Sequence, residues 1–132
     1  MKSYRLSLPF VITFAIVFSL GWLVSLARPG VVEAATFNVT RFDDPVPDTC
    51  FPADCSLREA LRAANPGGGT DVIILPAGTY TLSQAGTGED AALRGDLDIA
   101  TGGLTIQATG GRATIDGANL DTVFHVLNLA TA

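Results

Sequence analysis

The chain after residue 35 is predicted to be mainly β with one short α-helix. Its apolar residues occur in short runs, rich in β-branched side chains and separated by Gly and Asn. Residues 57–64, in contrast, have the spacing of an amphipathic helix. Strands as short as residues 96–99, which place Leu97 and Ile99 on one face, favour a coil of stacked rungs. A β-sandwich, which needs longer strands and sharper hairpin turns, is the alternative.

The N-terminal segment predicts export. Two basic residues precede the apolar residues 6–27, and Val32 and Ala34 fit the small-residue pattern before a signal-peptidase cut. Residues 1–34 are therefore predicted to be a signal peptide. Because the apolar stretch reaches the length that spans a bilayer, a retained membrane anchor is the alternative. Either segment would export the rest of the chain, which is expected to be secreted or held at the cell surface.

The charge of the remaining chain excludes several classes of function. Residues 35–132 hold 5 basic and 12 acidic side chains and no lysine. Nucleic acids and anionic membranes are bound by clustered Lys and Arg, so neither is expected as a partner. A Walker-type phosphate loop needs a Lys after its glycines and is excluded as well. A chain of this length forms at most one small domain.

The two cysteines agree with export. Cys50 and Cys55 are the only cysteines of the chain, and an even number in an exported protein predicts a disulfide. The pair is not a zinc site, because the chain has no second cysteine pair and a single histidine. Two free buried thiols are the alternative to the disulfide.

The segment after Cys55 carries the clearest local signal, a predicted helix over residues 57–64. Ser56 and Glu59 have the spacing of a capping box, in which each side chain accepts a hydrogen bond from the other residue's backbone N–H. Along one side the apolar residues recur at helical spacing, namely Leu57, Ala60, Leu61 and Ala64. The Asn-Pro-Gly sequence that begins at residue 65 then ends the helix.

Short strands are predicted on both sides of this helix. They are residues 36–40, 72–75, 79–82, 96–99, 104–107, 113–115 and 123–127. Turns separate the later strands at residues 76–78, 101–103, 109–111 and 116–119, and residues 83–95 form a polar, Gly-rich loop. The side chains predicted to face inward are Leu97, Ile99, Leu104, Ile106, Phe124 and Val126.

Several motifs occur in an order that is typical of one family. Residues 55–60 read CSLREA, and they are accompanied by FNVT at residues 37–40, by Cys50, by AAN at residues 63–65 and by DVIILPAGTYTL at residues 71–82. The chain thereby resembles CSLREA-domain proteins, the N-terminal modules of exported right-handed parallel β-helix proteins. The resemblance implies a pectin-lyase-like β-helix, with about two to three coils in this chain and the helix at their N-terminal end. The resemblance does not imply any particular activity.

Three parts are expected along the chain. Residues 1–34 are the leader, residues 35–70 hold the first strand, the cysteine loop and the capping helix, and residues 71–132 form the first coils of an incomplete β-helix. The stripe that contains Leu57 and Leu61 would cover the apolar interior at the open end of the first coil. An uncovered last coil would favour self-association through the C-terminal edge.

Two groups of acidic residues are candidate sites, although a solvated surface is the favoured interpretation of both. If Leu97 faces inward, Asp96 and Asp98 face outward together, where they would hold Ca²⁺ or act as a general acid and base. The second group, a weaker Ca²⁺ candidate, consists of Asp43, Asp44, Asp48 and Asp54. His125 is predicted to face solvent and, without a second histidine, to have no metal-binding or catalytic role. No catalytic residue and no cofactor-binding residue is predicted.

The expected function is that of a non-enzymatic exported module. It would be the N-terminal cap of a surface or secreted β-helix protein used for adhesion or display, with a carbohydrate or another cell-surface molecule as its partner. One alternative is the N-terminal part of a carbohydrate-active β-helix enzyme, similar to a polysaccharide lyase or hydrolase, whose site lies beyond residue 132. The other alternative is a vestigial fragment with no function of its own.

Overall fold

The computed structural model describes residues 33–127, all of which lie in one compact unit. The elements in chain order are β1 (Thr36–Asn38), α1 (Leu57–Ala64), β2 (Val72–Thr81), β3 (Leu97–Ile99), β4 (Thr105–Asp116) and β5 (Phe124–Val126). The predicted leader, apart from its last two residues, and residues 128–132 lie outside the described residues. Within residues 33–127, no helix is both long enough and apolar enough to cross a membrane.

Both sheets of the described chain are parallel. In the larger sheet β2 lies between β1 and β4, and Thr36, Val72 and Thr105 are paired across it. In the smaller sheet β3 pairs with β5, so that Leu97 lies beside Phe124. The prediction of a mainly β fold with one short helix is therefore confirmed. Parallel pairing also disfavours the alternative of a sandwich, whose sheets are antiparallel.

Two of the predicted turns lie inside long strands instead of ending them. β2 continues through Pro76 and β4 continues through Gly110, where the sequence predicted separate short strands. The two strands remain paired on both sides of a register shift between Pro76 and Gly78. Gly110 has a φ of 73°, which glycine adopts without steric strain. The prediction of separate strands was wrong because a local bend does not end a strand whose partner bends with it.

The core lies between α1 and the strands. The helix packs against β1, β2 and β3, and Leu57 and Leu61 of its apolar stripe are buried. The strands and their flanks contribute Val39, Ile73, Leu75, Tyr80, Leu82 and Leu97 to the same core. Val126, which was predicted to face inward, is 65% exposed, because no described strand lies beyond β5 in its sheet.

Tyr80 should make this core less stable at alkaline pH. Its ring is buried against Phe42, and its hydroxyl donates to the carbonyl oxygen of Pro76 at 2.7 Å. Burial raises the pKa of Tyr80, because the phenolate would lose its hydration. The stabilisation is therefore fully present below the unfolded pKa of about 10 and is lost as pH rises through the higher folded value.

We expect the free energy of unfolding, measured by urea denaturation, to fall above about pH 10, where an unfolded tyrosine ionises. Tyr80→Phe removes the titrating hydroxyl and should flatten this alkaline decline, at the cost of a lower free energy of unfolding near neutral pH. An unchanged alkaline decline in the variant would show that another group causes it.

Candidate functional site

The candidate site is the beginning of α1 together with the loops that pack on it. The predicted disulfide between Cys50 and Cys55 is present, with the two Cα atoms 4.4 Å apart. Thr40, just after β1, donates its backbone N–H to the carbonyl of Cys55 at 2.9 Å and accepts from the N–H of Cys55 through its hydroxyl at 3.0 Å. The cysteine loop is therefore held both by the disulfide and by the chain that leaves β1.

Both hydrogen bonds of the capping box are present at the beginning of α1. The Ser56 hydroxyl accepts from the N–H of Glu59 at 3.3 Å, and the Glu59 carboxylate accepts from the N–H of Ser56 at 2.7 Å. The other oxygen of Glu59 accepts from the N–H of Asp48 at 3.3 Å. Because Ser56 and Glu59 are buried, these bonds fix the cysteine loop to the first turn of the helix.

Removal of the N-cap hydroxyl of Ser56 should lower the free energy of unfolding moderately. Ser56→Ala leaves the N–H of Glu59 without its acceptor, and we expect it to lower the free energy of unfolding by about 1 kcal/mol. Ser56→Gly is the matched variant, because glycine is tolerated at an N-cap and should cost only a few tenths of a kcal/mol. Chemical denaturation of the two variants measures the difference. A larger loss in Ser56→Gly than in Ser56→Ala would indicate a packing role for Ser56 rather than a capping role, because glycine also removes the buried Cβ atom.

Arg58, on the same helix, is fully buried, and each of its five N–H groups has an acceptor. Its Nε and Nη2 donate to the two carboxylate oxygens of Asp44 at 2.8 and 3.1 Å. The remaining N–H groups donate to the carbonyl oxygens of Ala92, Gly95 and Asp96 at 3.3, 2.9 and 3.0 Å. One guanidinium therefore joins the helix to the acidic loop, residues 43–54, and to the polar loop before β3.

The acidic loop is less solvated than the sequence predicted. Asp44 is only 5% exposed, and besides the ion pair with Arg58 it accepts from the N–H groups of Ser83 and Gln84 at 2.9 and 3.2 Å. The interpretation of Asp44 as a solvated residue was wrong, because the polar loop after β2 folds over it. A bidentate arginine and two amides leave this carboxylate little capacity for a metal ion.

Arg41 pairs with two other carboxylates of the same loop. Its guanidinium lies 2.6 Å from Asp43 and 2.7 Å from Asp54, while Asp48 is exposed. The hydrogen bond from Arg41 lowers the pKa of Asp43, and the hydrogen bonds to Asp43 and Asp54 raise the pKa of Arg41. A Ca²⁺ ion bound at this loop would have to compete with the arginine for both carboxylates.

Asn65, the C-cap residue of α1, contacts the strand that lies under the helix. Its side-chain amide donates to the carbonyl of Asp98 at 2.8 Å and accepts from the N–H of Ala100 at 2.9 Å. Neither this role nor that of Arg58 was predicted from the sequence. The available signal was a polar residue in each of two sequence strings, CSLREA and AAN. The hydrogen-bond partners of both residues lie more than ten residues away in the sequence.

Asp98 lies in a cluster with His125 rather than on a solvated face. It is fully buried, its Oδ2 accepts from the N–H of Ala92 at 2.9 Å, and its Oδ1 lies 3.0 Å from Nδ1 of His125. Oxygens of Asp90 and Asp96 each lie 3.8 Å from the same ring nitrogen. The solvated interpretation was wrong for Asp98, because the loop that contains Ala92 covers it.

His125 is half exposed, with 49% of its side-chain surface accessible, so it faces solvent in part as predicted. The register of β3 and β5 places it directly beside Asp98, and the polar loop brings Asp90 to the same place. Three carboxylates converge here on one imidazole, an arrangement that the spacing along the chain did not predict.

Comparisons with family models, curated proteins and solved structures returned no match to this chain. The beginning of α1 is built from a disulfide, a capping box and a buried ion pair, all of which hold loops in place. The cluster around His125 has donor atoms of the types that bind divalent cations.

Proposed function

We propose that this protein is an exported, non-enzymatic module of the CSLREA type, the N-terminal cap and first coils of a right-handed parallel β-helix. The module would belong to a surface or secreted protein used for adhesion or display. The observation that carries the proposal is the order of the paired strands. A long bent strand and a short strand, β2 and β3, are followed by a second such pair, β4 and β5, and each pairs in parallel with its counterpart.

The contacts of α1 support its role as a cap. The helix lies against β1, β2 and β3, where Leu57 and Leu61 are shielded from solvent. Without it, the apolar side chains of the first coil would face water at this end. The disulfide, the capping box and the Arg58–Asp44 pair all hold the helix and its loops, which is the arrangement expected of a structural cap.

The proposal is tested by producing the full chain with its leader in a bacterial host. We expect an exported product whose intact mass shows loss of residues 1–34, and no release of reducing ends or unsaturated sugars from a panel of polysaccharides. A heat-denatured sample and an empty-vector extract are the controls. A full-length product that stays in the cytoplasm would contradict export, and enzyme-dependent cleavage of any polysaccharide would contradict a non-enzymatic role.

Self-association through the C-terminal edge is part of the same proposal. Among the described strands, β4 lies at one edge of the larger sheet and most of its residues are exposed, and β5, which ends at the exposed Val126, is paired only with β3. A strand of this length with one unpaired edge is a template for pairing with another chain. We propose that the partner is a second copy of this chain, because the backbone groups at the edge of β4 in two copies can pair with each other.

Ala108 in β4 provides a variant that blocks the edge. The N–H of Thr105 donates to Asp71 on the β2 side, so the alternation of a parallel strand directs the N–H of Ala108 towards the open side. We expect sedimentation velocity to show concentration-dependent association of the chain, reduced in Ala108→Pro and retained in Ala108→Ser. A monodisperse monomer at all concentrations would contradict association through this edge.

A further inference from the structure

We propose that Asp90, Asp98 and His125 bind a divalent transition-metal ion of the Zn²⁺ class. One donor atom from each of these residues lies within 4.8 Å of the donor atoms of the other two. The three side chains come from different parts of the fold: the polar loop, β3 and β5. The carboxylate of Asp96, 3.8 Å from Nδ1 of His125, is a further oxygen near the same point.

The separations between donor atoms suit a shared ion. Two ligands about 2.1 Å from one tetrahedral ion lie about 3.4 Å from each other. The distances from Nδ1 of His125 are 3.0 Å to Asp98 and 3.8 Å to Asp90, which fall on either side of that value. Asp90 is exposed over 71% of its side chain, so it can move by the few tenths of an ångström that coordination requires.

The burial of Asp98 is an independent argument for a cation. Its side chain is completely shielded from solvent, and a buried carboxylate is costly unless a positive charge compensates it. Among the described residues, the ion-pair contacts of Asp90, Asp96 and Asp98 are all with His125. One imidazole balances at most one of these three negative charges, whereas a divalent ion would balance two.

The donor set selects the class of metal. Ca²⁺ takes six to eight oxygen ligands, while an imidazole nitrogen with two or three carboxylate oxygens is a set that Zn²⁺ accepts. His125 therefore favours a transition metal over the Ca²⁺ that was considered for Asp96 and Asp98 alone. The hydrogen bond from the N–H of Ala92 to the second oxygen of Asp98 would orient that ligand.

A bound ion would tie the polar loop to the smaller sheet. Among the described residues, the one ion-pair contact of Asp90 is with His125, and the loop that contains Asp90 also supplies the carbonyl oxygens that Arg58 contacts. Coordination would add a cross-link between this loop, β3 and β5. The role that follows is structural, because the ion would hold an exposed loop over the smaller sheet.

The test uses His125 as its own reporter, because it is the single histidine of the chain. The full chain is produced without a polyhistidine tag, kept in a non-ionic detergent, stripped with EDTA and titrated with ZnCl₂ near neutral pH. We expect a long-range ¹H–¹⁵N spectrum of the imidazole to show the Nδ1 resonance moving to the position of a metal-bound nitrogen. An Nδ1 resonance that does not respond to saturating Zn²⁺ would overturn the proposal.

Asp90→Asn is the decisive variant, because its exposed side chain can be changed without disturbing the fold. We expect it to weaken the Zn²⁺ affinity about tenfold or more. Asp121→Asn removes the same charge from an exposed position outside the cluster and should leave the affinity unchanged. Equal affinities in the parent chain and in Asp90→Asn would reject the site. Circular dichroism of each variant checks that the fold is retained.

Discussion

Arg58→Met is expected to destabilise the protein by about 3–5 kcal/mol, the usual consequence of removing one partner of a buried ion pair. Methionine retains much of the side-chain volume but leaves the Asp44 carboxylate, which is 5% exposed, without its cation. It also leaves the carbonyl oxygens of Ala92, Gly95 and Asp96 without their donor. Because small domains are stable by only about 5–15 kcal/mol, part of the variant should be unfolded at physiological temperature.

Arg62→Met is the matched control for this prediction. Arg62 lies one turn further along α1, is only half-buried and makes one long hydrogen bond, 3.5 Å, to the carbonyl of Pro47. We expect its loss to change the free energy of unfolding by less than about 1 kcal/mol. The double variant Arg58→Met, Asp44→Asn should recover part of the stability, because it removes the uncompensated charge. Similar losses in Arg58→Met and Arg62→Met, measured by urea denaturation, would contradict the buried-pair explanation.

Leu61→Ala is expected to cost about 2–5 kcal/mol, because it leaves a cavity between α1 and the strands. Leu61 is fully buried at the centre of the helix stripe, in the same core as Ile73 and Leu97. The variant should also expose the apolar side chains under the helix, so we expect increased binding of a hydrophobic dye below the unfolding transition. Thermal and urea denaturation give the magnitude of the loss.

Leu93→Ala is the control with the same chemical change at a surface position. Leu93 is 41% exposed in the polar loop, and its truncation should alter the free energy of unfolding by about 0.5 kcal/mol or less. If Leu61→Ala were as mild as Leu93→Ala, α1 would not be covering a tightly packed interior. The proposal that the helix acts as a cap would then lose its main energetic support.

Local sequence signals were sufficient for the helix and for the disulfide. The capping box, the apolar stripe and the Asn-Pro-Gly end act within a few residues of one another, so the predicted helix of residues 57–64 matches α1. The disulfide between Cys50 and Cys55 was predicted from the even number of cysteines and the expectation of export alone. Strand positions were also found, although the breaks predicted near Pro76 and Gly110 lie within continuous strands.

Local sequence signals did not show which acidic residues are buried and which are exposed. Asp44 and Asp48 lie in one loop and look alike in the sequence, yet the first is buried against Arg58 and the second is exposed. The difference arises from a loop about forty residues later, whose backbone amides donate to Asp44. No pattern along the chain carries that information, because it depends on which distant segment covers which side chain.

The sequence by itself determined the local structure of this protein: a short capped helix, a disulfide beside it and a series of short extended segments. These features depend on backbone preferences and contacts between near neighbours. The tertiary structure alone decided that Arg58 joins α1 to Asp44 and to the polar loop before β3, and that Asp90, Asp98 and His125 meet at one point. Those contacts arise from the parallel register of β3 and β5 and from the path of the polar loop, which are set by packing across the whole core.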